Sequence, residues 1–318
     1  MILLSRPTVI VEGLDLPECP RWRDGTLTFS DITAGRIYRM GIDGQAKLVH
    51  EERDDFIGGL GFLPNGDLLA VLSKQRKLLR IDPRGATYYA DLSGLCRFVL
   101  NDMVVHAGRA YVSQPGFDIW TNEAKGMPDP TDIILVQPDG TAVIAASGMR
   151  SPNGMAISAD GRTLYVAEST AMRITCFDID PDSGALSNRR LFCALPDGGI
   201  PDGICLDDEG AVWIANPVAY SDGQLRAGLG VVRMAPGGEL THQVAVADGR
   251  RALACALDSS DGGTLYICTV PEFHGPAAFS AAEGRLKRVS LNMRLVPDGR
   301  VNLQVESRSM CRQSERRL

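Results

Sequence analysis

Glu18, Asn101, Asn153 and Asp202 carry side-chain oxygens and fall at the same place in successive copies of one internal repeat. Equivalent positions of a closed repeat array point the same way, so these four oxygens are expected to converge. Two carboxylates and two carboxamides bring hard-oxygen donors and a formal charge of −2, which suits Ca²⁺ first, then Mg²⁺ or Mn²⁺, with Zn²⁺ also able to take carboxylate oxygen. Taken singly, Asn or Asp before Gly is ordinary turn sequence. Four coincidences at one repeat position point instead to a cation site. The four histidines, His50, His106, His242 and His274, do not share that position.

The elements that must hold these residues are short hairpins. Residues 17–32, 58–73, 99–114, 151–168, 200–217 and 253–270 each read as an apolar run, a Gly-containing turn and a second run of alternating or β-branched character. Four residues before the apolar residues that end the first runs (Trp22, Phe62, Val105, Ile157, Leu206 and Leu257) stand Glu18, Gly58, Asn101, Asn153, Asp202 and Leu253. Their spacings of 40, 43, 52, 49 and 51 residues suit the period of a propeller blade. Third and fourth strands follow most copies, as at 173–180 and 189–195. The expected fold is an all-β, six-bladed β-propeller with four-stranded antiparallel blades around a central channel. The last copy lacks an outer strand, and residues 8–13 near the amino terminus are expected to supply it. One domain is expected over 1–306, followed by a frayed polar tail at 307–318. Residues 114–131 interrupt the third blade as either an excursion or a lid.

Composition narrows the partners. Hydrophobic residues make up 44% and charged residues 23%, ordinary for a chain that buries a sizeable core. A net charge of −6 argues against nucleic acid or an anionic membrane, both of which need a positive field. No signal-like start and no run of about 20 apolar residues appears, so a cytoplasmic protein is expected, with its oligomeric state open. The eight scattered cysteines form no Cys-x-x-Cys pair and read as buried reduced thiols, except that Cys19, beside Glu18, is expected at the rim of the central site. No Gly-x-Ser-x-Gly elbow, His-Glu-x-x-His pair or phosphate-cradling loop is present.

The runs Leu16-Pro17-Glu18-Cys19-Pro20, Leu100-Asn101-Asp102-Met103, Ser151-Pro152-Asn153-Gly154 and Ile200-Pro201-Asp202-Gly203 together resemble the signatures of the gluconolactonase family that includes regucalcin. The likeness spans roughly residues 7–290. It implies a metal held by Glu18, Asn153 and Asp202, with Asn101 contacting the metal or the substrate. It also implies hydrolysis of a lactone or related ester, in which the cation polarises the carbonyl and Asp202 is both ligand and general base. Two departures stand out. The family's Glu-Gly-Pro is Glu-Cys-Pro here, which would place the Cys19 side chain in the pocket. Arg two residues before the motif Asn is replaced by Val99, which would turn specificity away from polyhydroxylated sugar lactones. Arg97, two residues further along a strand, is a weak substitute. Trp120, Phe117 and Phe273 are expected to line an apolar pocket, with His274 or His106 near its mouth. Phosphotriester or fluorophosphate hydrolysis at the same cation, and non-catalytic binding of calcium or a ligand, are the competing readings.

Overall fold

The computed structural model describes residues 1–318 except 42, 122–126, 247, 259–262, 272–281, 292–293, 296–300 and 303–318, with only the backbone of 294–295 and 301–302. His274, Phe273, Cys311 and the tail at 307–318 therefore lie outside the described residues.

Six antiparallel sheets form the blades of a β-propeller. Blade one is Pro17–Arg23, Thr26–Asp31, Arg36–Met40 and Ala46–Glu51. Blade two runs from Ile57–Phe62 to Gly85–Asp91, blade three from Met103–His106 to Ala142–Met149, and blade four from Pro152–Ile157 to Leu186–Ala194. Blade five is built on the long hairpin Val212–Ser221 and Gln224–Met234, with Leu240–Val244 outside it. Blade six holds Arg251–Asp258, Thr264–Val270 and Gly284–Ser290. Its fourth strand is Thr8–Leu14, which pairs antiparallel with Gly284–Ser290, Thr8 opposite Arg288 and Leu14 opposite Gly284. The amino terminus thus closes the ring. Beyond the expected strands, Ile2–Leu3 adds a parallel strand to the edge of blade five.

Each blade buries both faces against its neighbours, which is why its inner strands read as near-continuous apolar runs. Six apolar clusters fill the six blade interfaces, and the cluster between blades six and one joins Leu14 to Leu27, Phe29, Tyr266 and Leu286. A seventh, of Leu16, Ile32, Leu253 and Val270 with Phe56 and Trp120 against it, sits at one end of the channel. Each inner strand touches those of the blades before and after it, and the sixth returns to the first. Among the described residues no helix is long and apolar enough to cross a membrane.

Candidate active site

The inner strands depart from regular pairing at the repeat position itself. The ladder shifts between Glu18 and Arg21, between Ile57 and Leu60, between Pro152 and Met155, and between Ala252 and Ala254. In blade five the inner strand breaks into Gly199–Ile200 and Ile204–Leu206 on either side of Asp202, and in blade three it begins at Met103, just past Asn101. A bulge frees a side chain from the pleat and re-aims it. Here it turns the repeat residue into the channel mouth and presses the next residue against the neighbouring blade.

That crowding explains the glycines. Gly59 N–H donates to Asn101 O at 2.8 Å, and Gly203 N–H to Leu253 O at 2.8 Å. A Cβ on Gly154 would stand 2.6 Å from Asp202 O, and one on Gly203 2.5 Å from Ala254 Cβ. Asn153-Gly154 lies within the strand Pro152–Ile157. It is therefore a close blade-to-blade contact and no turn, contrary to what the dipeptide suggests alone.

Glu18, Asn101, Asn153, Asp202 and Leu253, five of the six repeat positions, line one cavity of about 290 Å³. Asn101 Nδ2 donates to Asn153 Oδ1 at 2.9 Å, and Asn153 in turn hydrogen-bonds Asp202. Glu18 Oε2 accepts from Cys19 N–H at 2.8 Å. Burial is the main force on both carboxyls. It pushes Asp202 up to about 8, helped by the charge of Asp102, and drives Glu18 well above the usual carboxylate range, helped by Asp202.

A second buried group supports the first from below. Arg21 Nη2 donates to Asp102 Oδ1 at 2.7 Å and to Met103 O at 2.6 Å, and Nε to Leu60 O at 2.9 Å. Asp102 Oδ1 also accepts from Met103 N–H at 2.7 Å, and Asp102 N–H donates to Ser113 Oγ at 3.0 Å. The network fixes the backbone that presents Asn101. Sequence reasoning missed Arg21 and Asp102, although Asp102 stands inside a quoted motif and Arg21 three residues past Glu18.

The donor set fits a hard divalent cation. Burial and mutual charge disfavour ionisation of the two carboxyls, and a cation beside them would offset that cost; the nearby guanidinium of Arg21 is engaged by Asp102 and three carbonyls, those of Pro20, Leu60 and Met103. Among the described residues no three His, Cys, Asp or Glu side chains gather to hold a metal. Beyond Glu18 and Asp202, Asn101 and Asn153 bring side-chain oxygens to the same cavity.

The remaining expectations divide. Phe117 and Trp120 line the cavity, as does Ile119, so the interrupting segment forms part of its wall. Val99 and Cys19 do not. Val99 is buried off the wall, and the Cys19 side chain packs with Ile57 and Leu60 between blades one and two. Cys19 was expected in the pocket from its place beside Glu18, and Val99 from its place two residues before Asn101; the bulge past Glu18 turns Cys19 away, at φ 48°, the left-handed backbone a Gly would adopt freely, and Val99 precedes the strand that begins at Met103. Arg97 is exposed, with its guanidinium over Phe98. His106 is exposed at the far end of its strand, against Gly161, away from the cavity mouth. His50 and His242 lie on outer strands.

A six-bladed propeller with an oxygen-lined cavity at one end of its channel is the class of protein defined by this fold and site. The chain belongs to the SMP-30/gluconolactonase/LRE-like family, whose model matches residues 16–271. It is 28% identical to regucalcin of Danio rerio over 268 residues, 81% of this chain and 84% of that protein. It is 25% identical to 6-deoxy-6-sulfogluconolactonase of Pseudomonas putida over 268 residues, with the same shares covered. The crystal structure of a calcium-binding regucalcin from Agrobacterium tumefaciens superposes with a TM-score of 0.70 at 19% identity, covering 91% of this chain and 94% of that one. Lactone-hydrolysing relatives support hydrolase chemistry in general.

Proposed function

We propose that this protein is a divalent-cation-dependent lactonase that opens a small-molecule lactone or related ester at the channel mouth. The observation that carries the reading is the convergence of Glu18, Asn101, Asn153 and Asp202 on one cavity wall. The donors are all oxygen or amide, which favours Ca²⁺ over softer ions. A bound cation supplies Lewis acidity at the carbonyl and charge compensation for the carboxylates.

The chain's own residues do the rest. Asp202, a carboxylate on the cavity wall beside the site of attack, takes a proton from the attacking water as its oxygen bonds to the carbonyl carbon. The same proton is returned to the ring oxygen as the carbon–oxygen bond breaks, giving one hydroxy acid from one lactone and one water. Glu18 holds the second negative charge, while Asn153 and Asn101 offer neutral donors and orient the carbonyl. Seven free cysteines among the described residues support a reducing, cytoplasmic setting.

The test is hydrolysis of a lactone panel by metal-stripped protein restored with Ca²⁺, Mg²⁺, Mn²⁺ or Zn²⁺, with Asp202→Asn alongside. Turnover should require metal and fall about 10²- to 10⁴-fold in the variant. Full turnover by Asp202→Asn with metal still bound would remove the base assignment.

A further inference from the structure

The cavity walls differ sharply in chemistry on its two sides. From the segment after blade three's second strand come Phe117, Ile119 and Trp120, and from the channel rim Leu16, Ile32 and Leu253. Trp120 offers only hydrocarbon, because its Nε1–H already donates to Ser73 Oγ at 2.9 Å. The ring is braced edge-on against Phe56, with centroids 4.9 Å apart. On the blade-four side stand Ser151, Ser169 and Thr170. Ser169 Oγ donates to Pro201 O at 2.8 Å, and Thr170 Oγ1 to Ser151 Oγ at 3.3 Å. Two of these three hydroxyl protons are thus committed within the protein, and the Glu18, Asn101, Asn153 and Asp202 side chains are needed for the cation.

We infer that the substrate is a small lactone carrying one apolar substituent, alkyl or aryl, which lies against Phe117, Ile119 and Trp120 while the ring carbonyl faces the oxygen donors. This rests on the lactonase reading of the same site. A polyhydroxylated ring would turn hydroxyls toward the apolar wall, and each one left without a partner there costs about tenfold in affinity. Each methylene moved from water onto that wall gains about fourfold. A cavity of about 290 Å³ stands at the small end of ligand pockets, so the gain should stop after a few carbons.

The experiment uses full-length protein with Ca²⁺ on γ-lactones that carry hydrogen, ethyl, butyl, octyl or phenyl on the ring, and on an aldonolactone of the same ring size. Binding of the matching non-hydrolysable γ-lactams is measured by calorimetry. The expected result is that kcat/KM and lactam affinity rise about fourfold per carbon up to butyl and level off by octyl, with the aldonolactone slower than the butyl lactone. Phe117→Ser with Ile119→Ser should flatten the series, so that the ratio of kcat/KM for the butyl lactone to that for the unsubstituted ring falls towards one. Alkyl lactams that bind with this chain-length dependence while no lactone is hydrolysed would overturn the lactonase reading and support the apolar occupant. Hydrolysis that favours the aldonolactone, or is flat across the series, would overturn the inference and leave the lactonase standing. Absence of both binding and turnover would overturn both.

Discussion

Asp102→Asn isolates one charge beneath the site. Asn keeps an oxygen for Met103 N–H, so the change removes the anion facing Arg21 and little else. The two side chains are 18% and 6% exposed, so the pair is shielded from water. Breaking a buried ion pair by neutralising one partner typically costs about 3–5 kcal/mol, because the other charge stays buried. Arg21 keeps its bonds to the carbonyls of Pro20, Leu60 and Met103, which favours the lower end, about 3 kcal/mol. That is a large part of a typical stability of about 5–15 kcal/mol and corresponds to a fall in Tm of roughly 6–12 °C. Adding Arg21→Met to Asp102→Asn removes the stranded guanidinium and should recover part of the loss, a non-additivity read directly from a double-mutant cycle. Denaturant unfolding with saturating Ca²⁺ is the assay. A loss below about 0.5 kcal/mol in the single variant, or strictly additive losses in the double, would refute the view of the pair as a buried unit under the site.

The same geometry fixes three more outcomes. Asp202 stands at about 8 in the folded protein against an ordinary 3.8, so the native state holds a proton that the unfolded chain has lost. Metal-free protein should therefore lose stability as pH rises from about 4 towards 8, while stabilisation by Ca²⁺ grows over that range; thermal melts with EDTA and with Ca²⁺ at pH 6 and 8 check this, and a metal-free protein more stable at pH 8 would contradict it. Removing residues 1–13 takes away most of the strand paired with Gly284–Ser290 and opens the cluster around Leu286 and Tyr266, so cooperative unfolding should disappear; an unchanged Tm would show the ring closed by other means. Gly154→Ala places a Cβ 2.6 Å from the rigid Asp202 carbonyl, whereas at Gly94 nothing lies within 4 Å. Calorimetry should show Ca²⁺ affinity at least about tenfold weaker in Gly154→Ala and unchanged in Gly94→Ala, the first matching about 1.4 kcal/mol of displaced ligand geometry.

The blade count, the ring closure and the place of the oxygen donors were legible because all three depend on period. Repeat spacing reports the blades, and identical positions in a closed ring must face one axis. The placements that differ depended on local backbone direction. Cys19 and Val99 were expected in the pocket from their places beside Glu18 and two residues before Asn101, but blade one's inner strand bulges just past Glu18, and Val99 precedes the strand that begins at Met103, so neither inherits the facing of the repeat residue. His106 shares the strand after Asn101 yet ends at its opposite tip. Arg21 and Asp102 were passed over because a charged pair gives no periodic signal; they meet only because the Arg21 side chain reaches past blade two's Leu60 to the segment that opens blade three.

The register also carries the division of labour in the cavity. Its polar members belong to blades one, three, four and five, while blade six contributes Leu253 and blade two Gly58. Gly58 has no side chain to offer because a Cβ there would stand 2.3 Å from Asn101 O. Leu253 instead joins Leu16 and Ile32 in the cluster against which Trp120 packs. Of the two residues that break the run of oxygen donors, Leu253 is thus the one that anchors the apolar wall. A single repeat position, occupied differently in successive blades, builds both the oxygen-lined half of the cavity and the apolar half beside it. Leu253→Asn would extend the donor ring at the expense of that wall, and the two halves should respond in opposite senses: Ca²⁺ held more tightly, and alkyl lactams more weakly, in one calorimetric experiment. Both affinities falling together would mean that Leu253 serves the fold of blade six and not the division of the cavity.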